Sequence, residues 1–206
     1  MRHSFAIFFL LAVLACLVQG QGISRSGKKD GMAIMKHAAN VGEKAYHIRN
    51  VKTKKYLAFL PGTLAEPSAS QKSADTAWTL KRYQNKLYSF NHDHGSLKKC
   101  LSARWTNGKD DAAVMWQCEL KYGNHKRDVV DKRYTPIKWQ KQVWTMVPVR
   151  GHKNTFKIFA YTHIFDMTPT CLSGTSTGGN SYRGGTVLKK CKLNSNDPSL
   201  YWTFSQ

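Results

Sequence analysis

An all-β fold made of three similar units is predicted by a short framework that occurs twice in the chain. Each copy begins with Cys-Leu-Ser, at 100–102 and at 171–173, and ends with Val-x-x-x-Cys at Cys118 and Cys191. A Trp-Thr pair follows each copy, and a third pair at 78–79 ends a cysteine-free unit. Repetition on this scale indicates one supersecondary unit used several times. The sequence therefore predicts a β-trefoil, in which three four-stranded repeats close around a pseudo-threefold axis.

Short runs of aromatic and branched residues predict the first strand of each unit. They are Tyr-His-Ile-Arg-Asn at 46–50, Leu-Tyr-Ser-Phe at 87–90 and Phe-Lys-Ile-Phe at 156–159, each flanked by turn residues. We expect the second strand of each unit to carry its Tyr-Leu or Cys-Leu pair, and the fourth its Trp-Thr pair. Because no segment has a long apolar period of 3.6 residues, few helices are expected.

The composition of the sequence divides the chain into three segments. Residues 1–20 combine a basic start, a 14-residue apolar stretch from Phe5 to Val18 and small residues at the cleavage position, as secretory signal peptides do. Residues 21–44 are rich in Gly, Ser and Lys and predict a flexible basic arm, with one or two weak helical turns at most. Residues 45–206 form the predicted β-trefoil domain. We therefore expect a secreted, extracellular monomer without a transmembrane segment.

The cysteines predict two disulfides. Removal of the signal peptide would remove Cys16 and leave four cysteines, an even number in an oxidising compartment. Four cysteines allow three pairings, and the repeat favours pairing within each copy, Cys100 with Cys118 and Cys171 with Cys191. The rival hypothesis of a zinc site lacks a short Cys-x-x-Cys spacing. No metal and no cofactor are expected.

Charge points to anionic partners. The 32 basic and 12 acidic residues give a formal net charge of +20, which attracts sulfated glycans, nucleic acid or anionic membranes, although solubility alone is a serious alternative. Residues 121–138 have the character of an inserted loop, because the matching stretch of the third unit is much shorter. The candidate polyanion-binding residues of this loop are Lys126, Arg127, Lys132 and Arg133. A solvated charged loop without a partner is the alternative.

The second unit resembles a known family, the ricin B-chain-type lectin domain. The residues that carry this resemblance are Cys100-Leu101, Asn107-Gly108, Val114, Trp116, Cys118 and Gln142-Val143-Trp144. The likeness covers roughly residues 45–206 and implies a β-trefoil with Gln-x-Trp repeats. Only Trp144 has the full triplet.

The resemblance also implies a sugar site. In that family a carboxylate follows the first cysteine, an aromatic platform precedes the second, and an amide precedes Gln-x-Trp. These positions fall on Ser102, Trp116 and Lys141, next to Gln142, so only the aromatic is kept. A tryptophan beside serine and lysine suits an anionic or sulfated sugar better than a neutral one. Structural aromatic bulk is the alternative for Trp116.

Catalytic patterns are not found in the sequence. His92-Asp93-His94 places two imidazoles on one strand face without an obvious third ligand, and Asp110-Asp111 lies in a stretch rich in turn residues. There is no nucleophile elbow and no Gly-rich phosphate loop after a strand. We therefore expect a binding protein and not an enzyme.

Three binding functions remain open from the sequence. The first is recognition of acidic or sulfated glycans at a cell surface or matrix, with an effector or toxin-like role compatible with it. The second is protease inhibition through the 121–138 loop, with Arg127 or Lys132 as bait. The third is nucleic-acid or general polyanion binding through the basic surface. Fold alone does not decide among them.

Overall fold

The computed structural model describes residues 25–60, 64–94, 97–103, 112–120, 141–166, 168–176 and 186–206. Two helices are present in these ranges, α1 (Arg25–His37) and α2 (Tyr161–Asp166). The twelve strands of the described residues are β1 (Ala45–Asn50), β2 (Tyr56–Leu60), β3 (Leu64–Ala69), β4 (Ala77–Gln84), β5 (Leu87–His94), β6 (Leu97–Ala103), β7 (Ala112–Gln117), β8 (Trp144–Pro148), β9 (Thr155–Ala160), β10 (Thr170–Ser176), β11 (Thr186–Lys190) and β12 (Trp202–Ser205). The predicted first, second and fourth strands of each unit all lie where the sequence placed them.

Six of the strands form a closed antiparallel ring. The order around the ring is β1, β4, β5, β8, β9 and β12, and β12 returns to β1 through pairs such as Ile48 with Phe204. A ring has no unpaired edge, so the first and last strands of the fold protect each other's backbone groups. Each unit contributes its first and its fourth strand to this barrel.

The other six strands form three hairpins that meet one another. These hairpins are β2–β3, β6–β7 and β10–β11. The β7 and β11 strands pair at Ala113 and Thr186, and the Thr186 hydroxyl donates a hydrogen bond to the Ala65 carbonyl of β3. A six-stranded barrel with three associated hairpins is the arrangement that the β-trefoil prediction requires.

The tryptophans of the three Trp-Thr pairs belong to one apolar core cluster. All three indoles are fully buried, and each donates a hydrogen bond of 2.8–2.9 Å to a leucine carbonyl on the second strand of its own unit. The pairs are Trp78 with Leu57, Trp144 with Leu101, and Trp202 with Leu172. Each indole N–H is thus satisfied inside an apolar core, as a buried donor must be.

Helix α1 packs against the barrel, where the sequence predicted a flexible arm over residues 21–44. Ile34, at 1% exposure, joins a second apolar cluster that lies between the helix and outward-facing side chains of the barrel strands. The backbone N–H of Ala39 donates to Met146, and that of Val41 donates to the Tyr88 hydroxyl. The helix forms because several barrel strands carry apolar residues on both faces, and the outer face requires cover.

Both disulfides are present with the predicted pairing. Cys100 is bonded to Cys118 and Cys171 to Cys191. Each bond joins the second strand of a unit to the residue directly after its third strand. Among the described residues, no helix is long and apolar enough to cross a membrane.

Candidate carbohydrate-binding surface

Trp116 is a large apolar side chain that β7 presents to solvent. It is 53% exposed, whereas its neighbour Met115 is completely buried. Successive side chains of a strand point to opposite faces, so Met115 fills the core and Trp116 lies on the outer face of the β6–β7 hairpin. Exposure is the condition that a stacking platform must meet, and the alternative of structural bulk does not require it.

The hairpin register brings polar groups to the same outer face. Cys100 is directly opposite Trp116, and Ser102 is opposite Val114. Lys98 and Ser102 are therefore the two diagonal neighbours of Trp116 on β6, within reach of a large side chain. Lys98 is exposed, and its carbonyl accepts a hydrogen bond from the N–H of Cys118. The Ser102 hydroxyl is mostly buried and donates to the Cys100 carbonyl at 3.2 Å.

A carboxylate lies on β5, the strand that pairs with β6 on the other side from β7. Asp93 of β5 is exposed and pairs in register with Lys98 of β6. Asp93, Lys98, Ser102 and Trp116 thus share one face of three adjacent strands, and we call this set the Trp116 surface. Sequence comparison with the lectin family did not find Asp93 or Lys98. Strand alternation from Cys100 identifies Lys98, but Asp93 depends on the pairing of β5 with β6.

Gln142 has a structural role beside this surface. Its side-chain amide donates to the Gln117 carbonyl and accepts from the Glu119 N–H, both at 2.8 Å, and it is 1% exposed. These bonds clamp the backbone on either side of Cys118. Lys141, which precedes Gln142, is exposed.

His92 belongs to the core. Its ring stacks on Phe59 at 4.8 Å between centroids, meets Trp78 edge-on at 5.4 Å, and lies 3.2 Å from the Ala74 carbonyl through Nε2. Within the described ranges, no group of three His, Cys, Asp or Glu side chains is placed to hold a metal ion. The His92-Asp93-His94 motif therefore separates into a core histidine and a surface carboxylate.

The 121–138 loop lies outside the described residues. This applies to the four candidate polyanion-binding residues Lys126, Arg127, Lys132 and Arg133, and to the protease-bait hypothesis that depends on two of them. The Asn107-Gly108 and Asp110-Asp111 motifs also fall outside.

The Trp116 surface offers the chemistry of sugar recognition. An indole face covers apolar C–H groups while its flat ring loses little conformational entropy. Lys98 supplies an ammonium for a carboxylate or sulfate, and Asp93 is an acceptor for hydroxyl groups.

Comparison with known proteins identifies the fold. No family model matches the chain, and no curated protein matches it in sequence. Among solved structures, a ricin B-like lectin of Macrolepiota procera in complex with lactose has 15% identity and a TM-score of 0.52, with 82% of this chain and 99% of the lectin covered.

Two further structures give the same result. A Culex quiquefasciatus salivary protein of the Cysteine and Tryptophan-Rich family has 15% identity and a TM-score of 0.52, over 81% of this chain and 96% of that one. The designed threefold-symmetric protein ThreeFoil has 14% identity and a TM-score of 0.51, over 79% of this chain and 98% of that one. At these identities the likeness shows the fold alone, and that fold is the β-trefoil.

Proposed function

We propose that the protein is a secreted, carbohydrate-binding β-trefoil that recognises acidic or sulfated glycans through the Trp116 surface. The observation that carries the proposal is the exposure of Trp116 on β7, where Ala113 and Met115 on the opposite face are buried. Of the large apolar side chains in the described residues, only Met32 and Trp116 are strongly exposed. An exposed aromatic next to convergent polar groups is a typical recognition feature.

The charges around the indole favour an acidic ligand. Lys98 is its diagonal neighbour, the exposed Lys141 precedes Gln142, and the whole chain has a formal charge of +20. This field attracts and concentrates anions at the protein surface. Asp93 adds a requirement for a ligand with hydroxyl groups, which a sulfated or uronic sugar has and a simple anion lacks.

The organisation of the chain supports the finer parts of the proposal. The equivalent indole–carbonyl bonds of Trp78, Trp144 and Trp202 support three copies of one four-stranded unit, as in ricin B-like lectins. The signal-like segment 1–20 and the two disulfides support secretion. We place the protein among binding proteins rather than enzymes.

A glycan array with Trp116→Ala tests the proposal. The parent chain should bind sulfated or uronic-acid glycans in preference to neutral ones, and Trp116→Ala should reduce that binding at least about tenfold, because the stacking contact is lost. Since the indole is half exposed, the melting temperature should change little. Trp116→Phe should keep part of the affinity.

Two further variants separate stacking from charge. Lys98→Glu should weaken binding to acidic members of the array and spare neutral ones, whereas Met32→Ala, the matched control at the other exposed apolar side chain, should change nothing. Full-strength glycan binding by a folded Trp116→Ala protein would contradict the proposal.

A further inference from the structure

A second cationic surface lies on the first unit, at the turn between β1 and β2. Arg49 near the end of β1 and the turn residues Lys52 and Lys54 are exposed, and Lys55 follows them with its ammonium 3.2 Å from the Ser70 hydroxyl. We call Arg49, Lys52, Lys54, Lys55 and Lys72 the Arg49 patch.

Lys72 belongs to this patch because it lies near His47 of β1. Burial, and then the nearby Lys72 ammonium, lower the pKa of His47. His47 is two residues before Arg49 on β1, so both side chains lie on the same outer face. Lys72 is itself exposed and follows β3, which pairs with β2 beside the turn. Lys72 thus lies near the outer face of β1, and its ammonium also donates to the Gln206 backbone oxygen at 2.5 Å.

The turn that carries the lysines is fixed by Asn50. This residue is completely buried, and its side-chain oxygen accepts hydrogen bonds of 3.1 Å from the N–H groups of Lys52 and Thr53. Its side-chain nitrogen donates to the carbonyls of Ser199 and Tyr201 at 2.8 and 3.1 Å. The backbone of the cationic turn is thus tied to the last unit of the fold and is preorganised before any ligand arrives.

Arg49 is held in place as well. Its Nε donates to the Lys54 carbonyl at 2.7 Å, and its guanidinium carbon lies 5.5 Å from the centre of the Tyr56 ring. These contacts leave the two terminal NH2 groups of an exposed guanidinium without another hydrogen bond to the described residues. A guanidinium fixed in this way presents a planar fork that matches two oxygens of a tetrahedral oxyanion.

Lys54 adds backbone strain to the same turn. Its φ is +59°, in the left-handed region that is unfavourable for a residue with a side chain. Glycine would occupy this position at no steric cost. Lysine here gives up some stability and gains one exposed charge beside Arg49, as sites of recognition often do.

We propose that the Arg49 patch binds the sulfate groups of a sulfated polysaccharide, at a site separate from the Trp116 surface. The proposal does not depend on sugar stacking at Trp116. Asp197 is an anion near Lys52: hydrogen bonds from Ser199 lower its pKa first, and the Lys189 and Lys52 ammonium groups lower it further. This single carboxylate offsets one positive charge of the patch.

Nucleic acid is the less suitable polyanion for this patch. Single-stranded nucleic acid binds by stacking bases on free aromatic faces. The Tyr56 ring has the Arg49 guanidinium over its face and the His47 ring at its edge, with 6.3 Å between ring centroids. The patch therefore offers charge and a hydrogen-bonding fork without a stacking platform.

Titration of the purified chain with a fluorescent sulfated dextran oligosaccharide at several salt concentrations tests the proposal. Lys54→Gly should lower the affinity about three- to tenfold and make the slope of log affinity against log salt shallower by about one, because one ion contact is lost. Its melting temperature should stay the same or rise, since the strain is relieved. Weaker binding by a more stable protein excludes misfolding as the cause.

Matched variants complete the experiment. Arg49→Lys keeps the charge but removes the fork, so it should weaken binding while leaving the salt slope unchanged. Lys29→Gln with Lys36→Gln, both on exposed positions of α1, should change the affinity less than twofold. Trp116→Ala should leave the dependence on Lys54 intact, which separates failure of this proposal from failure of the proposed function.

Two outcomes would overturn the proposal. One is an equal loss of affinity in the α1 control and in Lys54→Gly, which would show that net charge alone binds the polymer. The other is displacement of the dextran probe by single-stranded RNA at lower concentrations than by unlabelled sulfated dextran, which would assign the patch to nucleic acid.

Discussion

Asn50 connects the first unit to the last unit through hydrogen bonds of its side chain. It organises the β1–β2 turn, bonds the 199–201 segment and packs against Gly174 of β10. Buried amides of this kind are stabilising only when their hydrogen-bonding groups are satisfied, and here both ends of the amide have partners. The turn that presents the Arg49 patch is therefore anchored by a residue that no ligand would touch.

Gly174→Ala should be strongly destabilising. A methyl group at this position would overlap the side-chain amide of Asn50, which cannot move without breaking several buried hydrogen bonds. We expect a loss of about 2–4 kcal/mol in the free energy of unfolding, measured by urea denaturation. Gly42→Ala is the control, since the nearest atom to its new methyl is the Tyr46 hydroxyl at 3.3 Å. Equal stabilities for the two variants would contradict the central role of Asn50.

Lys157 shows that a lysine of this basic chain can have a purely structural role. Its side chain is almost completely buried, and its ammonium donates to the carbonyls of Lys192, Leu193 and Ser195. The Tyr201 ring lies 5.8 Å away. Burial lowers the pKa of Lys157. The count of basic residues therefore overstates the charge available to a ligand, and position decides which cations bind.

At the scale of elements, α1 belongs to the folded domain. Ile34 of the helix is buried in the second apolar cluster, and Ala38 and Val41, which follow the helix, are buried as well. The Lys86 ammonium lies 3.4–3.5 Å from the carbonyls of Met35 and Lys36 near the end of the helix, where a positive charge stabilises the helix dipole. Lys86 itself has a φ of +63°, and this contact gives its side chain a structural role.

Alanine substitutions on the two faces of α1 test its place in the fold. Ile34→Ala should cost about 2–5 kcal/mol, because it removes buried methyl groups from the second apolar cluster. Met32→Ala, on the exposed face of the same helix, should change stability by less than about 0.5 kcal/mol. Indistinguishable urea transitions for the two variants would show that the helix contributes nothing to the fold.

At the scale of the whole molecule, the repeats made the barrel predictable. The three aromatic runs, the Tyr-Leu and Cys-Leu pairs and the Trp-Thr pairs together located nine of the twelve strands in the described residues, and the pairing of cysteines within copies is confirmed. The arm over 21–44 was expected to be flexible because its apolar residues are few. The sequence did not reveal that β4 and β8 carry apolar residues on both faces, such as Tyr83 and Val147, and so require a helix to cover them.

The candidate site was only partly predictable for a similar reason. Trp116 follows from the lectin-like spacing, and its exposure fits the prediction. Lys98 and Asp93 join it through cross-strand register, which a single sequence does not specify. The Arg49 patch was visible only as a lysine-rich turn, because the bonds of Arg49 to Lys54 and of Asn50 to the last unit span elements that are distant in sequence.

The three buried tryptophans allow a test of threefold equivalence. Each indole bonds a leucine carbonyl of its own unit, so Trp→Phe at 78, 144 or 202 removes that hydrogen bond and opens a small cavity. If the units are equivalent, each change should cost about 2–4 kcal/mol, with the three losses within about 1 kcal/mol of one another.

Urea denaturation with the disulfides intact measures these losses. The first unit has no disulfide, so Trp78→Phe should be the variant that most broadens the transition, while the midpoints remain similar. Each fourth strand pairs with two first strands in the ring, so loosening one fourth strand weakens both of its neighbours. Unfolding of the Trp144→Phe and Trp202→Phe variants should remain cooperative. A tryptophan whose replacement costs nothing would show that its unit is not equivalent to the others.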